Sequence, residues 1–193
     1  PHRPIIVGGT GLYFNALLNG LAKIPATQDS VKKKADKLEL SEMVQALDVE
    51  VKTKIDLRNR ARVQRAWEVQ EATGRSLAHW QSKTPPPFMQ IDEVDTVLLD
   101  IPKTELDLKI TKRFDQMLEL GVLNEVKAME PHWDIKQNFT KAIGASQLMS
   151  YLRKETDLTV ARENSIIASR QYAKRQRTFF KKHMKNWNVY NIG

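Results

Sequence analysis

The chain has 193 residues, of which 41% are hydrophobic, and its 31 Lys and Arg against 23 Asp and Glu give a formal net charge of +8. This composition is typical of a globular domain with a sizeable core, and no apolar run approaches the ~20 residues that a transmembrane helix needs. The lack of cysteine excludes disulfides and thiolate metal sites, and the four histidines lack the spacing of metal ligands. The positive charge favours a polyanionic partner, nucleic acid first and an anionic membrane surface second.

The first predicted element is a short buried strand at Ile5, Ile6 and Val7, followed by two glycines and by Thr10 at the start of an amphipathic helix. A hydroxyl between the end of a strand and the start of a helix lies where open α/β sheets bind ligands. The alternative is that Thr10 only caps the helix. Because a buried parallel strand needs neighbours and the chain starts with proline, we expect that an N-terminal portion is missing.

The next region is predicted to be helical throughout, from a cap at Asp29 or Ser30 to about Thr84. After a first helix that begins near Val31, further helices are expected over residues 41–47, 49–57, 60–72 and 76–81. Gly74 supplies a left-handed residue at a helix end, and three consecutive prolines break the pattern at its close. We therefore predict an all-helical insertion, residues 29–87, within an α/β core formed by residues 1–28 and 88–193.

The core resumes with a predicted strand over residues 94–101, which Pro102 stops. Thr104 is expected to cap a helix that ends at Gly121. The elements expected after it are helices over residues 122–129 and 143–152, a long helix from Thr156 or Thr159 to about Lys185, and a closing strand over residues 187–192. Strands that alternate with helices in this way predict an α/β fold.

The helix predicted after Thr104 contains one anomaly, since Arg113 falls within its apolar stripe of Leu106, Ile110 and Met117. A guanidinium removed from water needs an anion, because an unpaired buried charge is strongly destabilising. The phosphate or carboxylate of a ligand would suit the planar fork of arginine. One alternative is that Arg113 forms an ion pair with an acidic residue of the core. The other is that its side chain reaches out to solvent.

Basic side chains recur at helical spacing in two parts of the chain. The insertion carries a stripe and a lysine run, at Arg58, Arg62, Arg65, Lys32, Lys33 and Lys34. The last helix carries what we call the basic ridge, at Arg170, Lys174, Arg177, Lys181 and Lys185. Such cations position nucleic-acid phosphates, although a charged run is usually only a solvated face. Because the aligned ridge cations lack matching acids, we expect a polyanion beside them, with a membrane or a partner protein as alternatives.

Five motifs occur along the chain in a defined order. They are Val7-Gly8-Gly9-Thr10-Gly11-Leu12-Tyr13; Arg62 to Val69 with Thr73-Gly74; Arg113 to Leu118 with Gly121 and Glu125-Val126; Ala142-Ile143-Gly144; and Arg170 to Gln176. In this order and spacing, over nearly the whole chain, they resemble the tRNA dimethylallyltransferase family, also called the tRNA isopentenyltransferases. Each motif alone is modest, and the five together are very specific.

The resemblance implies a P-loop NTPase-like parallel sheet core with an all-helical insertion domain that binds tRNA. It also implies transfer of a dimethylallyl group from dimethylallyl diphosphate to the exocyclic amine of an adenosine flipped from beside the tRNA anticodon, usually with Mg²⁺ assisting. By resemblance, Thr10 hydrogen-bonds the adenosine and Arg113 grips the diphosphate, so both should face one tunnel. A cytoplasmic monomer without a membrane partner is expected.

The resemblance also assigns tRNA contacts in both predicted domains. Besides Thr10, they fall on Lys32, Ala61, Arg62, Val63, Gln64 and Arg65 of the insertion and on Lys141, Ala142, Ile143, Gly144, Ala145 and Ser146 of the core. The basic ridge, through Arg170, Lys174 and Arg177, is expected to bind anions. No metal ligand is assigned within this chain.

Two departures from the family pattern stand out. Ala145 and Ser146 lie where the family usually has an aromatic and a basic residue. The family's phosphate loop, G-x-x-x-x-G-K-[ST], and its general-base aspartate precede the Gly-Gly-Thr strand, and neither occurs in this sequence. We therefore expect no turnover by this chain alone. The alternatives are a non-catalytic helical RNA-binding module on a P-loop scaffold and a P-loop small-molecule kinase relative, in which the ridge would hold nucleotide phosphates.

Overall fold

The computed structural model describes residues 4–135 and 137–192, which form two compact units. One unit, the sheet unit, joins the residues up to Gly11 with those from Asp95 onward. The other, the helical unit, runs from Leu12 to Val94. The sequence suggested boundaries at residues 29 and 87, so the helical unit has a larger extent than the expected insertion.

The helical unit is built from short helices around an aliphatic core. The helices are α1 (Gly11–Asn19), which begins in the sheet unit, α2 (Asp29–Ala35), α3 (Leu40–Ala46), α4 (Val49–Lys54), α5 (Arg60–Thr73) and α6 (Leu77–Ser82). Met43, Val51 and Val63 are buried among them. Asn59 caps α5 by accepting a backbone hydrogen bond, and Gly74 ends that helix with a φ of 65°.

The sheet unit combines a small parallel sheet with helices. Its elements are β1 (Val97–Asp100), α7 (Lys103–Glu119), α8 (Val122–Met129), α9 (Ala145–Leu152), α10 (Leu158–His183) and β2 (Asn188–Asn191). β1 and β2 run parallel, with Val97 opposite Asn188. Phe114, Leu148 and Ile166 bring α7, α9 and α10 into one apolar core. The result is a helix-rich α/β fold, in whose described part no helix is long and apolar enough to cross a bilayer.

The strand predicted at Ile5, Ile6 and Val7 is wrong. The structure assigns no strand to these residues, and their side chains are exposed, with Ile5 at 86% and Val7 at 87%. A strand needs a neighbour for its backbone hydrogen bonds, and the sheet of the described residues contains only β1 and β2. Apolar, β-branched residues therefore do not make a strand without a pairing partner.

Glycine marks helix ends more reliably than polar residues mark helix starts in this chain. Gly74 and Gly121 have φ values of 65° and 92°, which confirms both predicted helix ends. The predicted caps at Asp29 or Ser30, at Thr104, and at Thr156 or Thr159 are each wrong by one or two residues. The residues that precede the helices are Gln28, Pro102 and Asp157, of which Asp157 accepts a backbone hydrogen bond from α10.

Candidate functional site

The Gly-Gly-Thr turn lies against α10. The Gly9 carbonyl accepts a hydrogen bond from Gln176 Nε2 at 2.7 Å. Gly11 is buried, and a Cβ at that position would overlap the ring of Phe179, so only glycine permits this close approach. Thr10 is exposed and directly precedes α1, as predicted for a hydroxyl at the start of a helix. The turn is thus held against the C-terminal half of α10 with Thr10 accessible.

Acidic side chains from other elements approach the basic ridge. Arg170 donates from Nη2 to Thr111 Oγ1 at 3.1 Å, and its Nε lies 3.7 Å from Asp107 Oδ1. Arg177 Nη2 lies 3.8 Å from Asp100 Oδ1 at the end of β1. The expectation that the ridge lacks matching acids is therefore wrong for these two arginines, because a helical pattern shows only the charges of its own helix.

Asp107 lies among cationic side chains near the carboxyl end of β1. Lys103 Nζ donates to Asp107 Oδ2 at 2.7 Å. This hydrogen bond first, and then the charges of Lys103 and the two ridge arginines, hold the pKa of the Asp107 carboxyl below its usual range. The carboxylate is therefore charged at neutral pH. Together with Asp100, it faces three cations, and the group keeps one positive charge in excess, which favours an anionic ligand.

The lysines of the basic ridge are more exposed than its C-terminal arginine. Lys174 and Lys181 are exposed, whereas Arg177 is half-buried. α10 ends at His183, so Lys185 lies beyond the helix and the predicted end near Lys185 is wrong by two residues. A polyanion that approached this side of α10 would therefore meet the two helical lysines first.

Arg113 is exposed, which agrees with the alternative that its side chain reaches out to solvent and not with burial in the apolar stripe. The adjacent Phe114 takes the buried position instead, at 4% exposure. α10 contacts α7 through Thr111 and Asp115. At about 100° per residue, Arg113 lies about 160° around α7 from both of them. Arg113 therefore lies on the flank of α7 away from α10, and its grip on a diphosphate opposite Thr10 stays a prediction.

One ion pair fixes α7 against α10. Arg162 donates from Nε and Nη2 to the two carboxylate oxygens of Asp115, at 2.5 and 2.8 Å. These hydrogen bonds, and then the guanidinium charge, hold the pKa of the Asp115 carboxyl below its usual range. A two-pronged pair of this kind restrains both distance and orientation, so it fixes the helix that carries Asp107 and Arg113.

The segment between residues 141 and 146 exposes most of its predicted contact residues. Lys141, Ala142 and Ile143 are exposed, as is Ser146, whereas Ala145 is half-buried. Gly144 is buried and has a φ of 95°. It therefore presents no exposed surface for the predicted tRNA contact. The structure therefore leaves one cation, three small or polar groups and one isoleucine on or near this surface.

On α5, Ala61 and Arg62 are exposed, and Arg65 is exposed but donates to Thr27 Oγ1 at 2.8 Å. Val63 has 0% exposure, so the expected contact between its side chain and tRNA is wrong. A helix on a core buries one face, and consecutive residues cannot all face a partner.

The other predicted contacts in the helical unit already have protein partners. Gln64 Nε2 donates to Asp36 at 2.9 Å and to Glu68 at 3.1 Å. Lys32 Nζ lies 2.9 Å from an Asp29 oxygen, in a pair whose two side chains are largely exposed. Exposed pairs of this kind contribute little and exchange readily with another anion, so Lys32 stays available to a phosphate.

Sequence reasoning missed four residues that shape this part of the sheet unit, namely Asp100, Asp107, Thr111 and Gln176. The i, i+4 spacing of Lys103 and Asp107 was a usable signal for an ion pair. Gln176 closes the last of the five motifs, but nothing in the sequence indicated that its amide would bind the Gly9 carbonyl.

A family model described as IPP transferase matches residues 1–183. The chain belongs to the IPP transferase family. A relative from Roseobacter denitrificans, named tRNA dimethylallyltransferase, is 50% identical over 188 residues, which are 97% of this chain and 67% of the relative. The chain spans 60% to 67% of the length of the curated relatives that it matches.

Solved structures agree with this family. A tRNA delta(2)-isopentenylpyrophosphate transferase from Staphylococcus epidermidis is 32% identical with a TM-score of 0.56, over 97% of this chain and 63% of that protein. A eukaryotic dimethylallyltransferase that acts on tRNA has a TM-score of 0.71 at 22% identity, over 97% of this chain and 51% of that protein. The second likeness is evidence of a shared fold.

Within residues 4–135 and 137–192, no three His, Cys, Asp or Glu side chains are grouped to hold a metal ion. The two carboxylates near the end of β1, Asp100 and Asp107, face Arg177 and Lys103 instead. Oxygen ligands that already neutralise cations are a poor donor set for a divalent metal.

Proposed function

We propose that this protein is a tRNA dimethylallyltransferase, which transfers a dimethylallyl group from dimethylallyl diphosphate to the exocyclic amine of an adenosine next to the anticodon. The observation that carries the proposal is the family match over residues 1–183, together with the 50% identical relative of that name. The small parallel sheet would then belong to a P-loop NTPase-like core, with residues 29–87 as the tRNA-binding insertion.

The sheet unit supports this chemistry because α10 carries the ridge cations and also holds the turn that presents the Thr10 hydroxyl. Gln176 fixes the turn that presents Thr10, and Arg177, the next residue of α10, faces Asp100. The proposed reaction releases diphosphate, and cations fixed before the reaction stabilise the charge that develops on such a leaving group. Thr10 would hydrogen-bond the adenosine, and Arg113 would bind the diphosphate from its own flank of α7.

The charge of the chain supports a tRNA partner. The exposed cations of the ridge and of the α5 stripe, with a formal net charge of +8, fit a phosphate backbone. The exposed cations among the proposed tRNA contacts are Lys32, Arg62, Arg65 and Lys141. Side chains that carry positive charge without reading base edges would position the anticodon stem-loop, while the reaction site reads the flipped adenosine.

The remaining expectations complete the proposal. Mg²⁺ would assist the departure of diphosphate. A monomer in the cytoplasm, where tRNA is the partner and no membrane is bound, is consistent with the family.

The test is transfer by the protein at its full natural length, with dimethylallyl diphosphate, Mg²⁺ and unmodified tRNA. Digestion of the tRNA and mass spectrometry of its nucleosides should find dimethylallyladenosine at the position next to the anticodon. The Roseobacter relative serves as the positive control on the same tRNA. tRNA binding without transfer would contradict the proposal and support the RNA-binding module, and neither binding nor transfer would contradict both.

A further inference from the structure

One face of α10 carries aromatic and cationic side chains next to each other. Tyr172 is 41% exposed, and the guanidinium carbon of Arg175 lies 5.7 Å from the centre of its ring. Further along, Phe179 stacks on His183 with a centroid distance of 4.4 Å. Exposed rings beside cations are the composition of surfaces that bind single-stranded nucleic acid, because rings stack on bases while cations attract phosphates.

This face is distinct from the basic ridge. At about 100° per residue, Tyr172 and Arg175 lie about 140–160° around α10 from Arg170 and Arg177. The ridge arginines face Asp107 and Asp100 of α7 and β1. The aromatic face is therefore not part of the ion pairs that fix α10 in the sheet unit.

The aromatic face is continuous with the Gly-Gly-Thr turn. Tyr172 lies one helical turn before Gln176, about 40° around the helix and about 6 Å along its axis. Gln176 binds the Gly9 carbonyl, and Phe179 packs against Gly11. A group stacked on Tyr172 would consequently lie beside the turn that presents Thr10.

We propose that Tyr172 and Arg175 form a stacking platform for an unpaired base of the tRNA, next to Thr10. This inference rests on the proposed function, since it takes tRNA as the partner. The ring and the guanidinium plane provide flat surfaces for one base. Lys182, seven residues after Arg175 and on nearly the same line of the helix, is exposed and attracts the phosphate backbone.

Charge distinguishes a base from a lipid surface as the occupant. A helix that lies in a membrane buries a wide apolar face and keeps its cations on the other side. On α10 the cations Arg175 and Lys182 lie on the same face as the rings of Tyr172 and Phe179. This interleaving would place charges in the acyl region of a bilayer, whereas it matches the alternation of base and phosphate along an unpaired strand.

The test uses the full-length protein and an anticodon stem-loop RNA with 2-aminopurine in place of an unpaired loop base. Tyr172→Leu should weaken binding roughly tenfold and should abolish most of the fluorescence quenching that stacking causes. Tyr172→Phe keeps the ring and should bind within about twofold of the parent. Tyr190→Leu, which removes an exposed tyrosine from β2, is the matched control and should leave both signals unchanged.

Arg175 supplies a second, independent variant. Arg175→Lys keeps the charge and removes the planar group, so it should weaken binding severalfold without changing the salt dependence of the affinity. If Tyr172→Leu binds and quenches like the parent, or if Tyr190→Leu loses as much, the platform is wrong. If the parent itself does not bind the stem-loop, the proposed function fails, which is a different result.

Discussion

The substitution Gln176→Ala tests whether the Gly-Gly-Thr turn needs its anchor on α10. The change removes the 2.7 Å hydrogen bond from Gln176 Nε2 to the Gly9 carbonyl and leaves the charges of the basic ridge intact. A hydrogen bond of this kind contributes about 0.5–1.5 kcal/mol. If that energy fixes the hydroxyl of Thr10 for the reaction, its loss lowers kcat/KM about 2- to 12-fold.

The assay separates positioning from binding. Initial rates of dimethylallyl transfer by the full-length protein give kcat/KM, and filter binding gives the Kd for tRNA. We expect the loss in kcat/KM with an unchanged Kd, because Gln176 contributes no charge to phosphate contacts. Gln171→Ala is the matched control, since Gln171 is an exposed glutamine of the same helix, and it should retain full activity.

Two results would refute this reasoning. An unchanged kcat/KM in Gln176→Ala would mean that the turn keeps its position without the hydrogen bond. A loss of the same size in Gln171→Ala would mean that the effect comes from the helix surface rather than from the anchor. Thermal unfolding excludes a global cause, since a change of 1 kcal/mol lowers the Tm of a chain of this size by only about 2–4 °C.

Three further predictions concern the other proposed contacts and one buried glycine. Arg113→Ala should weaken binding of dimethylallyl diphosphate far more than binding of tRNA in calorimetry, and equal losses would contradict its proposed role. Arg62→Ala combined with Arg65→Ala should lower tRNA affinity and flatten its dependence on salt, by about one unit of slope for each guanidinium on a phosphate. An unchanged slope of affinity against salt would mean that these two arginines face solvent and do not contact tRNA phosphates. Gly144→Ala should cost about 1–3 kcal/mol in urea unfolding, from its φ of 95° and a Cβ only 3.1 Å from a phenylalanine ring, and more than Gly74→Ala, where nothing lies within 4 Å. Equal costs would exclude the ring contact as a cause.

The sequence predicted correctly those helix ends that depend on residues adjacent in the chain. The helix over residues 122–129 has the predicted bounds because Gly121 adopts a left-handed conformation before it and Pro131 lacks the amide N–H that a continuing helix needs after it. Gly74 and Gly121 end helices because glycine adopts positive φ without a steric penalty. These features depend on neighbouring residues along the chain, so they can be predicted without knowledge of tertiary contacts.

Predictions that needed a partner from elsewhere in the chain were the ones that failed. The apolar run at Ile5 has the composition of a strand, but pairing decides whether a strand forms. The burial of Arg113 was considered because of a helical pattern, which gives the direction of a side chain around the axis only to within tens of degrees. Phe114 occupies the core position instead. The acids opposite Arg170 and Arg177 come from α7 and β1, which no pattern within α10 could reveal.

The last motif has contacting side chains at nearly consecutive positions of α10, and the geometry of the helix explains how they reach different neighbours. Consecutive residues of a helix point about 100° apart, so Gln176 can reach the Gly-Gly-Thr turn while Arg177 reaches Asp100 at the end of β1. Arg170 and Arg177, seven residues apart, share one side of the helix, and Tyr172 and Gln176, four apart, share another. A run of nearly adjacent polar residues can therefore serve two different surfaces, and one helix can connect the strand end, the turn and the proposed stacking platform.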